Sequence, residues 1–173
     1  PAAHAPLVAR PEDIARYDDV YTVGWDEIRR RRHARQLELG VIPPGTPLPP
    51  RNTEPGAEVL EWAALSETEQ RVYARYMAVY AAMIDRVDQN LGRLREALEE
   101  MGEWDNTIVV FLSDNGASRE GEASGTTNYY HHLAATTGAE GWEQIDADLA
   151  RIEEIGSPQT MVHYPRGWAM AGN

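Results

Sequence analysis

Cysteine is absent from these 173 residues, which removes disulfides, thiolate metal sites and any cysteine nucleophile at once. Basic residues are scarce too. Sixteen Lys and Arg stand against 28 Asp and Glu, a formal charge of −12, so a nucleic acid duplex or an anionic membrane is repelled. No apolar run approaches the ~18 residues that span a bilayer, and the first ten residues lack a basic start followed by an apolar stretch. These residues are therefore expected to carry no address of their own, and the compartment stays open. Hydrophobic residues at 42% and charged residues at 25% match a folded globular chain, and the length suits one domain. No internal repeat is present.

Residues 1–65 read as loops with short helices. Pro11-Glu12-Asp13 has the proline φ and early acids of a helix start. Trp25 to Leu39 forms a second helical run, with Trp25, Ile28 and the Arg32 stem on one side. It stops at Gly40 before Pro43-Pro44. Its Arg29 to Arg32 block is read as a solvated or salt-bridged face and is assigned no chemistry. Six prolines between residues 43 and 56 permit only polyproline or irregular loop.

Residues 66–102 give the clearest element, a long helix. Ser66 and Glu69 make a capping box, and Val72, Tyr76, Val79, Met83, Val87, Leu91, Leu94, Leu98 and Met101 recur at spacings of three or four. Tyr73, Met77, Tyr80 and Ile84 widen that stripe beyond a coiled-coil seam, which suits packing on a sheet. A break near Gly92 is allowed for. Gly102 closes the helix, and Ile108 to Leu112 follow as five consecutive apolar residues, the pattern of a strand covered on both faces. Helix, turn and buried strand make half of an α/β unit, so an α/β fold with a mostly parallel sheet is expected. Residues 107–116 thus hold strand and loop, and residues 117–173 read as irregular with one helix near Glu143 to Glu154.

The strand runs directly into Ser113-Asp114-Asn115-Gly116. Ligands in open α/β sheets sit beyond the carboxyl ends of strands. Asp114 and Asn115 offer there the hard oxygens that Ca²⁺ and Mg²⁺ prefer. The same four residues also fit an Asx-turn that merely ends the strand.

Asp105-Asn106-Thr107, the run Phe111 to Ser118 and Glu120-Gly121 resemble the type I sulfatases, especially the bacterial arylsulfatases. Further stretches agree in order: Ala3-His4-Ala5-Pro6, Gly24-Trp25-Asp26 with Arg29, Met77 to Met83, and Tyr164 to Ala171. The resemblance implies an internal segment of an alkaline-phosphatase-like catalytic domain, with the long helix packed on the sheet. It implies Asp114 and Asn115 as ligands of a divalent cation, commonly Ca²⁺, with Mg²⁺ possible. It implies His4 as the group that contacts the sulfate and protonates the leaving oxygen. An imidazole titrates near neutrality and suits that work. The implied partners are a small-molecule sulfate ester and the rest of the sulfatase chain.

Departures from the family pattern matter equally. The nucleophile in this family is a formylglycine, made from Cys or Ser two residues before a Pro and four before an Arg. No such motif occurs. Ser157-Pro158-Gln159 has its proline one residue too early. The paired aspartates of the first strand and a Lys expected shortly beyond Asn173 are also missing. The formylglycine is therefore expected outside this segment, and the isolated 173 residues are expected to be inactive. His131, His132 and His163 match no family ligand and read as surface or hydrogen-bonded side chains. Two other readings stay open: a phosphonate or phosphate monoester hydrolase of the same superfamily, and a non-catalytic interaction module in which the long helix meets a partner.

Overall fold

A computed structural model describes residues 3–113, 115–130 and 145–172. Its helices are α1 (Pro11–Ile14), α2 (Gly24–Glu38), α3 (Glu67–Glu100), α4 (Ile145–Ala150) and α5 (Arg166–Gly172), with single 3₁₀ turns between several of them. Each expected helix is present. Pro11 opens α1, and the 43–56 stretch is loop.

The long helix starts as its sequence dictates. Ser66 Oγ accepts the Glu69 N–H at 3.2 Å while the Glu69 carboxylate accepts the Ser66 N–H at 2.8 Å, satisfying two donors that no helical carbonyl can reach. The helix passes Gly92 without a break. Its first half supplies the core: Val72, Tyr76, Ala78, Val79 and Ala82 are all at most 1% exposed. Its second half is less covered by the described residues: Leu91 and Leu94, and Met101 just past its end, are 38%, 54% and 64% exposed.

Around α3 the other elements are clamped by aromatic packing. The rings of Trp25, Trp62 and Trp168 stand 4.9 to 5.7 Å apart, mostly edge to face, the arrangement that ring quadrupoles favour. Two of the buried indoles bond backbone carbonyls: Trp25 Nε1 donates to Leu60 O and Trp168 Nε1 to Tyr73 O. Gly24 enters α2 at φ +84, and a Cβ there would lie 2.1 Å from the Trp62 ring, so only glycine fits. Asp13 of α1, buried, pairs with Arg86 of α3, and Arg16 pairs with Asp85.

The arginine block divides in two. Arg30 and Arg31 both bond Glu27 and hold its carboxyl down at about 2, as a salt-bridged face should. Arg29, which is buried, and Arg32, which is exposed, instead donate to the Pro49 and Ala171 carbonyls, which ties α2 to the proline loop and to α5.

One expectation is not confirmed among the described residues. The 107–113 stretch has no β-partner, and Ile108, Val110, Phe111 and Leu112 are 91%, 73%, 76% and 71% exposed. A strand exists only through backbone hydrogen bonds to neighbours, and no described segment offers them. Pairing is limited to isolated bridges in which residues 161–163 lie between Leu7 and the 126–128 stretch. The expected helix at residues 143–154 appears as α4 with a 3₁₀ turn, Ile152–Glu154, its first two residues lying outside the described set. Helix α5 was not anticipated by the sequence.

Candidate functional site

His4 lies on the exposed N-terminal stretch. Its Nδ1 is 2.6 Å from the Ala5 carbonyl; a carbonyl can only accept, so Nδ1 carries the hydrogen and Nε2 faces elsewhere. Asn115 is exposed, and the Ser113 hydroxyl donates to its backbone carbonyl at 2.5 Å. Asp114 lies outside the described residues, as do His131 and His132. Two cavities, of about 230 Å³ between α2 and α3 and about 640 Å³ between α1 and α3, are lined by neither His4 nor Asn115. Among the described residues no group of three His, Cys, Asp or Glu side chains converges.

The donor chemistry still fits a hard cation. A carboxylate followed by an amide offers two hard oxygens, and Ca²⁺ usually takes 6 to 8, so a cation held by this pair would draw its other ligands from other polypeptide or from solvent.

Beyond Asn115, the structure assembles a cluster that the sequence did not announce. Residues 117–126 double back onto 161–165. Thr126 and His163 exchange backbone hydrogen bonds at 2.9 Å each, and the Gly125 N–H returns to the Gly121 carbonyl at 2.8 Å. Gly121 presses so closely that a Cβ would lie 2.0 Å from the Tyr164 carbonyl oxygen. His163 is 3% exposed, stacked at 5.5 Å on Tyr129 and edge-on at 4.7 Å to Tyr164. It is hydrogen-bonded, as one of the two sequence readings held, and not on the surface.

The tyrosines here stay protonated across the physiological range. Burial, then the hydrogen bond to Glu120, pushes Tyr129 up to about 12. Burial and the neighbouring Tyr80 push Tyr164 up to about 12. The signal for this cluster was faint: an aromatic pair at 129–130 and His163-Tyr164-Pro165 in otherwise irregular sequence. Nothing local says that they meet across 34 residues.

Comparison with known proteins places these features in context. The family model described as Sulfatase matches residues 2–148. An arylsulfatase of Klebsiella aerogenes is 37% identical over 172 residues, covering 99% of this chain and 33% of that protein. An uncharacterized sulfatase of Schizosaccharomyces pombe is 40% identical over 116 residues, 67% of this chain and 20% of its own length. An N-acetylglucosamine-6-O-sulfatase of Bacteroides thetaiotaomicron is 52% identical over 44 residues, 25% of this chain and 8% of that protein. The chain thus spans about a third of the arylsulfatase that it matches from end to end.

Proposed function

Because the chain belongs to the sulfatase family, we propose that it is the part of a sulfuric ester hydrolase that carries two metal ligands and the general acid. The observation that carries this reading is the 37% identity to an arylsulfatase across 99% of the chain. Sulfate monoesters of phenols or sugars are the proposed substrates, by likeness to the arylsulfatase and the N-acetylglucosamine-6-O-sulfatase.

In this reading Asp114 and Asn115 hold a divalent cation through their side-chain oxygens, Ca²⁺ by the family's habit, with Mg²⁺ as the alternative. The cation and a formylglycine borne elsewhere in the protein supply charge neutralisation at the sulfuryl oxygens and the nucleophile. His4 keeps one proton on Nδ1, committed to the Ala5 carbonyl, and delivers a second from Nε2 to the departing oxygen. The Ile108–Leu112 run becomes a strand of a mostly parallel sheet whose other strands belong to polypeptide outside this chain. Its exposure of half or more at every position here is what supports that assignment, since five adjacent apolar side chains do not stay in water when cover is present. The same sheet would cover Leu91 and Leu94 of α3 and Met101 just past its end.

The test is turnover by the whole protein on nitrophenyl sulfate against the matching phosphate and phosphonate. Preference for the sulfate is expected. Preference for phosphate or phosphonate by orders of magnitude would move the protein to the phosphoryl-transfer side of its superfamily.

A further inference from the structure

Asn115 is the one asparagine of the chain that precedes a glycine. Other asparagines are held through their side chains: Asn52 Nδ2 donates to Ala57 O at 2.9 Å, Asn90 Oδ1 accepts from Arg93 at 3.0 Å, and Asn106 Nδ2 donates to Glu103 at 3.5 Å. Asn115 is exposed, and its side-chain amide has no hydrogen-bond partner among the described residues. Neither Asn115 nor Gly116 lies in a helix or a strand, and within the described residues the Gly116 N–H makes no hydrogen bond.

That combination has a chemical consequence. The backbone nitrogen of the residue after an asparagine can close on the side-chain carbon Cγ to form a five-membered ring, and a glycine brings no Cβ to hinder the approach. The nitrogen must first give up its proton. Its acidity is governed by the peptide group it belongs to, whose oxygen is the Asn115 carbonyl. The Ser113 hydroxyl donates to that oxygen at 2.5 Å. As the Gly116 nitrogen loses its proton, negative charge spreads onto the carbonyl oxygen, and a donor already aimed there stabilises it.

We propose that Asn115 is a self-modification site, in which the Gly116 nitrogen attacks Asn115 Cγ with the Ser113 hydroxyl as the assisting donor. The Gly116 N–H proton passes to solvent hydroxide, the bond from Gly116 N to Cγ forms, and the Cγ–Nδ2 bond breaks as the departing nitrogen takes a proton from water and leaves as ammonia. Water then opens the cyclic imide. Addition at Cγ leaves aspartate; addition at the main-chain carbonyl leaves isoaspartate, with the chain rerouted through Cβ and Cγ. Either product replaces a neutral amide with a negative charge. Access persists in the complete enzyme, because the end of a strand that faces a hydrolytic cleft must admit water. If Asn115 is a metal ligand, a cation on Oδ1 restrains the side-chain torsions that closure requires. This protection, unlike the conversion itself, rests on the proposed ligand role.

The experiment incubates the whole protein with chelator or with excess Ca²⁺ and follows residue 115 by mass-spectrometric peptide mapping, an isoaspartate assay and ammonia release. With chelator, aspartate and isoaspartate are expected at residue 115, forming faster as pH rises because hydroxide removes the proton. Ser113→Ala is expected to slow conversion about 2- to 10-fold, the worth of one hydrogen bond, in the folded protein and not in urea. Gly116→Ala is expected to slow it in both states, since the hindrance is covalent. If the folded protein keeps its amide while the urea-unfolded protein loses it, or if folded Ser113→Ala converts as fast as the wild type, the proposal is overturned. If conversion runs as expected and excess Ca²⁺ does not slow it, the modification site stands and the ligand reading of Asn115 is contradicted.

Discussion

His4→Ala lowers kcat of the whole protein on alkyl or sugar sulfates by about 10²- to 10⁴-fold, the usual contribution of a positioned proton donor, and lowers it far less on nitrophenyl sulfate. A nitrophenolate leaves without help, whereas an alkoxide needs a proton as the bond to sulfur breaks. The variant is informative because His4 is exposed and contributes nothing to the core, so a loss of rate cannot be blamed on a loss of fold. The group should act on kcat more than on KM, since protonation of the leaving oxygen belongs to the transition state. Steady-state kinetics over a series of leaving groups reads this out. Equal losses across the series would assign His4 to sulfate binding and not to acid catalysis.

Val109→Asp and Val110→Asp should each prevent the whole protein from folding, an effect beyond about 4 kcal/mol, as expected for an unpaired carboxylate forced into an apolar interior. Adjacent strand residues point to opposite faces, so the two variants interrogate the two faces separately. Both being destructive is the outcome for a strand covered on each side. Thermal unfolding and solubility measure it. Tolerance of one variant would mean a sheet covered on a single face. Tolerance of both would mean that the run stays in solvent, where it lies here at 53% and 73% exposure for these two residues, and the sheet would be abandoned.

How far the sequence could be read depended on whether the determinants were local. Helix α3 was legible because a capping box, a period of three to four and a closing glycine all lie within its own residues, and the structure starts it at Glu67 beside the Ser66 cap. Arg30 and Arg31 were legible for the same reason, with Glu27 one turn away. Arg29 and Arg32 were not, because their acceptors lie 20 and 139 residues off. Helix α5 escaped notice because it is short and carries two glycines. It is stabilised by Trp168 inserting between Trp25 and Tyr21, a contact that no window of sequence contains. The apolar character of Ile108 to Leu112 was plain, yet pairing is a property of two strands, and among the described residues the second is missing.

For the site, the residue types were readable and their arrangement was not. A carboxylate beside an amide after an apolar run names hard-oxygen donors, and a histidine in a short Ala/Pro-flanked stretch names a proton carrier only through family resemblance. What turns such a pair into a site is orientation. The cluster of Ser118, His163 and Tyr164 near Asn115 carries no motif, since it is brought together by the doubling-back of residues 117–126 onto 161–165.

The most direct test of the metal assignment is a calorimetric Ca²⁺ titration of the whole protein beside its Asp114→Ala variant. Loss of a charged ligand from a Ca²⁺ site should cost at least about 100-fold in affinity and abolish turnover at ordinary Ca²⁺ levels. Unchanged Ca²⁺ affinity in Asp114→Ala, with turnover intact, would show that the cation is held elsewhere and that the Asp114-Asn115 turn is only the end of a strand.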